Sequence, residues 1–138
     1  MENPEIQAET QKLRQAAKIL YPHVYDDTEF TQEDAEEMRQ ELQYLQKTIS
    51  LLQWAIENVS NIIAGYGSEL IYYDLKAGYW LKIQLLADGP VEVVPRPDIN
   101  TIYVLAGVGP VLQIIQNVKT ALEKTLAKYM QVQQILQQ

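Results

Sequence analysis

The sequence predicts an α+β domain in the order α-α-β-β-β-β-α, and three observations carry that expectation. From Ala35 to Tyr66 every a and d position of a heptad is apolar: Ala35, Met38, Leu42, Leu45, Ile49, Leu52, Ile56, Val59, Ile63 and Tyr66. The spacing alternates three and four without a slip, so one face of a long helix seeks cover along its whole length. Between residues 69 and 105 the apolar period drops to two, as half-buried strands require. A broad helical stripe then returns from Val108 to Leu136. The expected architecture is a long antiparallel helical hairpin and a short N-terminal helix, packed with a small, four-stranded antiparallel β-meander.

Each element has its own local signal. Asn3-Pro4-Glu5 is a helix start, with Asn as N-cap and Pro at the first helical position. Ile6, Leu13, Ala17 and Leu20 then share a face as far as Tyr21. Pro22 stops this helix, because the residue before proline is pushed out of the αR region. His23 to Phe30 reads as a polar, acidic loop, so residues 1–30 form an N-terminal helix and loop. Thr31 with Asp34 reads as a capping box that opens the long helix, 31–66. Gly65 and Gly67 end it by offering the left-handed conformation.

Residues 69–75 and 79–86 read as strands joined at Lys76-Ala77-Gly78, a hairpin of the glycine-containing kind. Asp88-Gly89-Pro90 makes a second turn before Val91-Glu92-Val93-Val94. Pro95 and Pro97 cannot sit in a central strand, so this third strand belongs on an edge. Thr101 to Leu105 is the fourth strand, which completes a meander over 69–105. Gly107-Val108-Gly109-Pro110 turns the chain into the last helix, 108–136. Its stripe (Val108, Val111, Ile115, Val118, Leu122, Thr125, Tyr129, Val132 and Leu136) has apolar flanks and suits more than one neighbour.

A 138-residue chain with an apolar fraction of 47% and a charged fraction of 21% is expected to fold as one domain with a true core. A helix over 31–66 would be roughly 50 Å long at ~1.5 Å per residue, longer than such a core. Part of its stripe is therefore expected to meet another copy, along a seam of Met38, Leu42, Leu45, Ile49, Leu52, Ile56, Val59 and Ile63. Ile49, Ile56 and Ile63 at a with Leu45 and Leu52 at d match the two-stranded coiled-coil preference.

Composition narrows the function. There is no cysteine, so the chain has no disulfide, no thiol nucleophile and no Cys-based metal site. The polar start lacks a secretory apolar core, and the longest apolar stretch, Ile102 to Ile115, is too short for a bilayer. A cytoplasmic location is expected. The formal charge of −7 resides entirely in residues 26–41, where eight carboxylates face one Arg39. That balance argues against nucleic acid, whose affinity comes from cationic side chains. It suits a basic protein partner at Glu33, Asp34, Glu36 and Glu37, or a solvated helix start complementing the macrodipole.

Catalytic chemistry has little to use. The single histidine, His23, lies in Tyr21-Pro22-His23-Val24-Tyr25 with no nucleophile beside it in sequence. Gly107-Val108-Gly109 opens like a dinucleotide fingerprint, but Leu112 holds the place of the third glycine and Pro110 removes an amide. Asp26, Asp27 and Glu29 are candidate hard ligands for calcium, without the glycine and terminal glutamate spacing of an EF-hand. No enzyme and no cofactor is expected.

The aromatic residues say more. Nine tyrosines against one phenylalanine suit rings that are buried on one side and wet on the other. On the second strand Tyr79, Leu81, Ile83 and Leu85 share one face, while Trp80, Lys82, Gln84 and Leu86 share the other, expected to be exposed. Tyr72, Tyr73 and Trp80 are the candidate partner-binding aromatics, alongside their ordinary use as strand-forming cross-strand pairs. The expected function is a non-enzymatic interaction or assembly protein that forms a homodimer or higher oligomer and recruits a partner. The alternative is a ligand- or calcium-binding regulatory protein.

Overall fold

The computed structural model describes residues 4–25, 29–61, 69–74, 78–86 and 89–138. The chain is α+β, with five α-helices and four strands among these residues. They group into two compact units, Met1–Leu45 with Lys128–Gln138, and Gln46–Ala127.

The first unit begins with α1, Pro4–Leu20, whose buried residues are Leu13, Ala16 and Ala17. Helix α1 ends before Pro22, as expected, but the chain does not pass into an open loop. Pro22 opens a one-turn helix, α2 (Pro22–Tyr25), since a fixed φ and a missing N–H suit a first helical position. Helix α3, Gln32–Leu42, is opened by the expected capping box. The Asp34 N–H donates to Thr31 Oγ1 at 3.1 Å, and the Thr31 N–H donates to Asp34 Oδ2 at 3.0 Å. Ala35 and Met38 are its buried residues.

The long helix is interrupted. After α3 the chain makes a turn at Gln43–Tyr44 and resumes as α4, Leu45–Asn58. The Tyr44 N–H bonds to the Glu41 carbonyl at 3.2 Å, a three-residue step where an α-helix takes four. Helix α4 closes into a 3₁₀ turn, Val59–Asn61. Ile63 and Tyr66 of the heptad lie outside the described residues, as do Gly65 and Gly67.

The second unit contains the sheet: β1 (Glu69–Asp74), β2 (Tyr79–Leu86), β3 (Glu92–Arg96) and β4 (Thr101–Gly107). It is not an antiparallel meander. Its order is β1-β2-β4-β3, with β2 parallel to β4 and the two outer pairs antiparallel. The chain leaves β2, skips one strand position, lays down β3, and returns to insert β4 into the gap. Residues 87–91 connect two strands that lie two spacings apart, roughly 10 Å at ~4.8 Å per strand, which five residues span easily. The return is made by a 3₁₀ turn, Pro97–Ile99, and by Asn100 at φ 53°. Asn tolerates that left-handed conformation better than most side chains.

The alternation divides the sheet's faces. Leu81, Ile83 and Leu85 on β2 lie in register with Ile102, Val104 and Ala106 on β4, and all six are buried. Trp54 on α4 meets two rings of this inner face, Tyr72 at 5.7 Å and Tyr79 at 5.4 Å between centroids. Helix α5, Val111–Leu136, adds Ile114, Val118 and Leu122 to the buried set of this unit. In the first unit the same helix adds Tyr129 and Val132. No helix among the described residues is long and apolar enough to cross a membrane.

Candidate functional site

The heptad residues are occupied within one chain. Met38, Leu45, Ile49, Leu52 and Val59 are all buried, and Leu42 and Ile56 are half-buried. Residues off the seam are covered too, among them Thr48, Leu51, Trp54 and Ala55. A stripe that broad belongs to a core rather than to a narrow coiled-coil seam. Leu42 and Ile56 keep part of their surface, and Ile63 lies outside the described residues.

The outer face of the sheet carries several exposed apolar side chains. It is set by the strand register, which aligns three rows across all four strands. Tyr73, Trp80, Thr101 and Arg96 form one row. Ile71, Lys82, Tyr103 and Val94 form the next. Glu69, Gln84, Leu105 and Glu92 take the third. Beyond it stands Leu86 opposite Gly107. Ile71 is 51% exposed and Trp80 41%, with Leu86 and Val94 close behind. Along β4 the outward positions are better covered: Thr101 is buried, and Tyr103 and Leu105 are half-buried.

Tyr73 and Trp80 anchor one end of this face. They are cross-strand partners, and their rings stack with centroids 3.8 Å apart and planes tilted by 24°. Stacking holds the indole as a fixed apolar plate, so a partner meeting it orders little additional side-chain freedom. Arg96 in the same row hydrogen-bonds Asp98 through Nε and Nη2, both at 3.3 Å. Those bonds and the guanidinium's charge hold the Asp98 carboxyl below the usual carboxylate range. Tyr72, expected beside Tyr73, faces the other way. Its ring packs on Trp54 and its hydroxyl donates to Asn58 Oδ1 at 3.3 Å, so it supports the core and not the outer face.

The acidic residues of the first unit play different parts. Asp34 is half-buried and is the capping partner of Thr31, whereas Glu33, Glu36 and Glu37 are exposed on α3. Arg39 links α3 to α1 by an Nε bond to Glu9 Oε1 at 2.9 Å, and it also pairs with Glu36. Glu41 accepts from two phenols, Tyr21 and Tyr129, the latter at 3.4 Å. Burial, and then the Glu41 carboxylate, push both phenols well above the ordinary tyrosine range. Beside them lies a cleft of about 270 Å³ lined by Tyr21, Val24, Tyr25, Glu37, Met38 and Glu41. Sequence gave no sign of this cluster, because its members are 20 and 88 residues apart.

For a metal, Asp26 and Asp27 lie outside the described residues, and Glu29 is exposed. Among the described residues no three His, Cys, Asp or Glu side chains stand close enough to hold an ion. His23 is exposed on α2. Comparison with protein-family models, with curated proteins and with solved structures finds no match for this chain.

Proposed function

We propose that this protein is a non-enzymatic assembly protein, which self-associates and recruits a partner of basic character. The observation that supports self-association is the outer sheet face. It presents Trp80 and Leu86 of β2 to solvent, with Ile71 on β1 and Val94 on β3. The recruiting role draws on α3, where Glu33 and Glu37 are exposed and Glu37 lines the cleft at Tyr21 and Tyr25. Aromatic rings and carboxylates together suit the ammonium or guanidinium group of a basic side chain. Within the second unit the reading keeps α4 and the first part of α5 as an antiparallel pair, supported by the buried stripes that both helices carry there.

Light scattering on a size-exclusion column, across about a hundredfold range of concentration, tests the assembly role. A molar mass that rises with concentration above the 15.8 kDa of one chain supports it. A constant single-chain mass removes self-association from the reading.

A further inference from the structure

We propose that the cleft between α2 and α3 receives a single lysine side chain of a basic partner protein. This deepens the recruiting reading and rests on it, by naming the place and the head group.

The cleft has two walls of different chemistry, both in the first unit. Tyr21, Val24 and Tyr25 form one, at and beside the one-turn helix α2. Glu37, Met38 and Glu41 on α3 form the other. Tyr21 and Tyr25 meet edge to face, with centroids 6.5 Å apart and planes at 62°. Val24 is exposed and Met38 is buried, so apolar surface runs from rim to base. At about 270 Å³ the cleft is smaller than the ~300–1,000 Å³ of ordinary small-molecule sites, and it suits one extended side chain.

Charge sets the sign of the occupant. Glu37 and Glu41 are four residues apart on α3, so they are neighbours on one helix face. Like charges at that spacing oppose the helix, and a cation between them removes the repulsion. Burial, and then the carboxylates of Asp34, Glu37 and Glu41, raise the Tyr25 phenol above its ordinary value, so the negative field of α3 reaches across to α2. Carboxylates alone would select any cation. The rings and Val24 opposite them also accommodate an alkyl stem, as the four methylenes of lysine require.

Glu41 decides between the two basic head groups. Its Oε1 already accepts from Tyr21 and Tyr129. A guanidinium fork takes both oxygens of one carboxylate. Glu41 does not offer two, and a fork laid on Glu37 would leave Glu41 unmatched. An ammonium is a compact charge with three rotatable N–H groups, so it can donate to Glu37 and to Glu41 Oε2 together.

The test is calorimetric titration of the full chain, at about 0.05 M ionic strength, with three peptides alike except that alternate positions hold lysine, arginine or norleucine. The lysine peptide is expected to bind about threefold or more tighter than the arginine peptide, and about tenfold or more tighter than the norleucine one. Glu37→Gln is expected to weaken lysine binding by about fivefold and Tyr25→Leu by about twofold or more, while Glu33→Gln and Glu36→Gln stay within about twofold. Circular dichroism melting confirms that each variant is folded, and Glu37→Gln, at an exposed position, carries the comparison should Tyr25→Leu unfold. Equal losses for all three glutamate variants overturn the cleft, because the charge of α3 as a whole then attracts the peptide and the recruiting reading stands without it. An arginine peptide that binds as tightly as the lysine one overturns the choice of head group. A chain that binds neither basic peptide overturns both the cleft and the recruiting reading.

Discussion

Tyr21 and Tyr129 converge on a single carboxylate oxygen, each donating its phenolic hydroxyl to Glu41 Oε1. Tyr21 follows the end of α1, Glu41 lies on α3 and Tyr129 on α5, so one acceptor links three helices of the first unit. Neither phenol can ionise there without placing a second negative charge against Glu41. Burial adds to that cost, which is why both are held neutral well above the usual tyrosine range.

Alkaline pH should therefore destabilise the fold through this pair. A phenol ionises near pH ~10 in the unfolded chain and higher in the folded one. Above that pH the folded state holds more protons, so stability falls as pH rises. The contribution is complete below pH ~10 and declines above it. Urea unfolding between about pH 8 and about pH 11 should show the midpoint dropping, and the Tyr21→Phe/Tyr129→Phe double variant should flatten the drop. An equally steep fall in that variant would assign the sensitivity to other groups.

A basic partner should respond to α3 and to salt. With a lysine-rich peptide as the probe, neutralising Glu33, Glu36 and Glu37 to glutamine is expected to weaken binding by about tenfold or more. Raising the ionic strength from about 0.05 to about 0.3 M should have the same direction of effect, because exposed charges are screened beyond ~10 Å. Asp34 is left out deliberately, since it caps α3 and its loss would test stability instead. Binding indifferent to both salt and the triple substitution would leave α3 as a solvated helix start.

The sequence revealed some of these relationships and hid others for physical reasons. Period-two alternation is a local property, so it sorted Leu81, Ile83 and Leu85 from Trp80, Gln84 and Leu86 correctly. Strand order is not local. A short connection after β2 suggests the next strand as neighbour, and only the long-range pairing of β2 with β4 reveals the insertion. The break at Gln43–Tyr44 has neither proline nor glycine to mark it. In α5 Val118, Leu122, Tyr129 and Val132 of the stripe are buried, but Ile114 on its flank is buried where Ile115 is half-buried, a difference that a broad apolar face conceals.

The last prediction separates core from seam on the heptad itself. Leu52 is fully buried within one chain, so shortening it leaves a cavity whether or not another copy is present. Leu52→Ala is expected to cost about 2–5 kcal/mol in urea unfolding, and the loss should be the same at low and high protein concentration. If Leu52 stood instead at a subunit seam, the penalty would grow with concentration, because the wild type alone would gain from association. Leu112 provides the internal control. It is 81% exposed on α5, so Leu112→Gln should change stability by no more than about 0.5 kcal/mol. A concentration-dependent loss for Leu52→Ala would return the heptad to the interface and withdraw that role from the sheet.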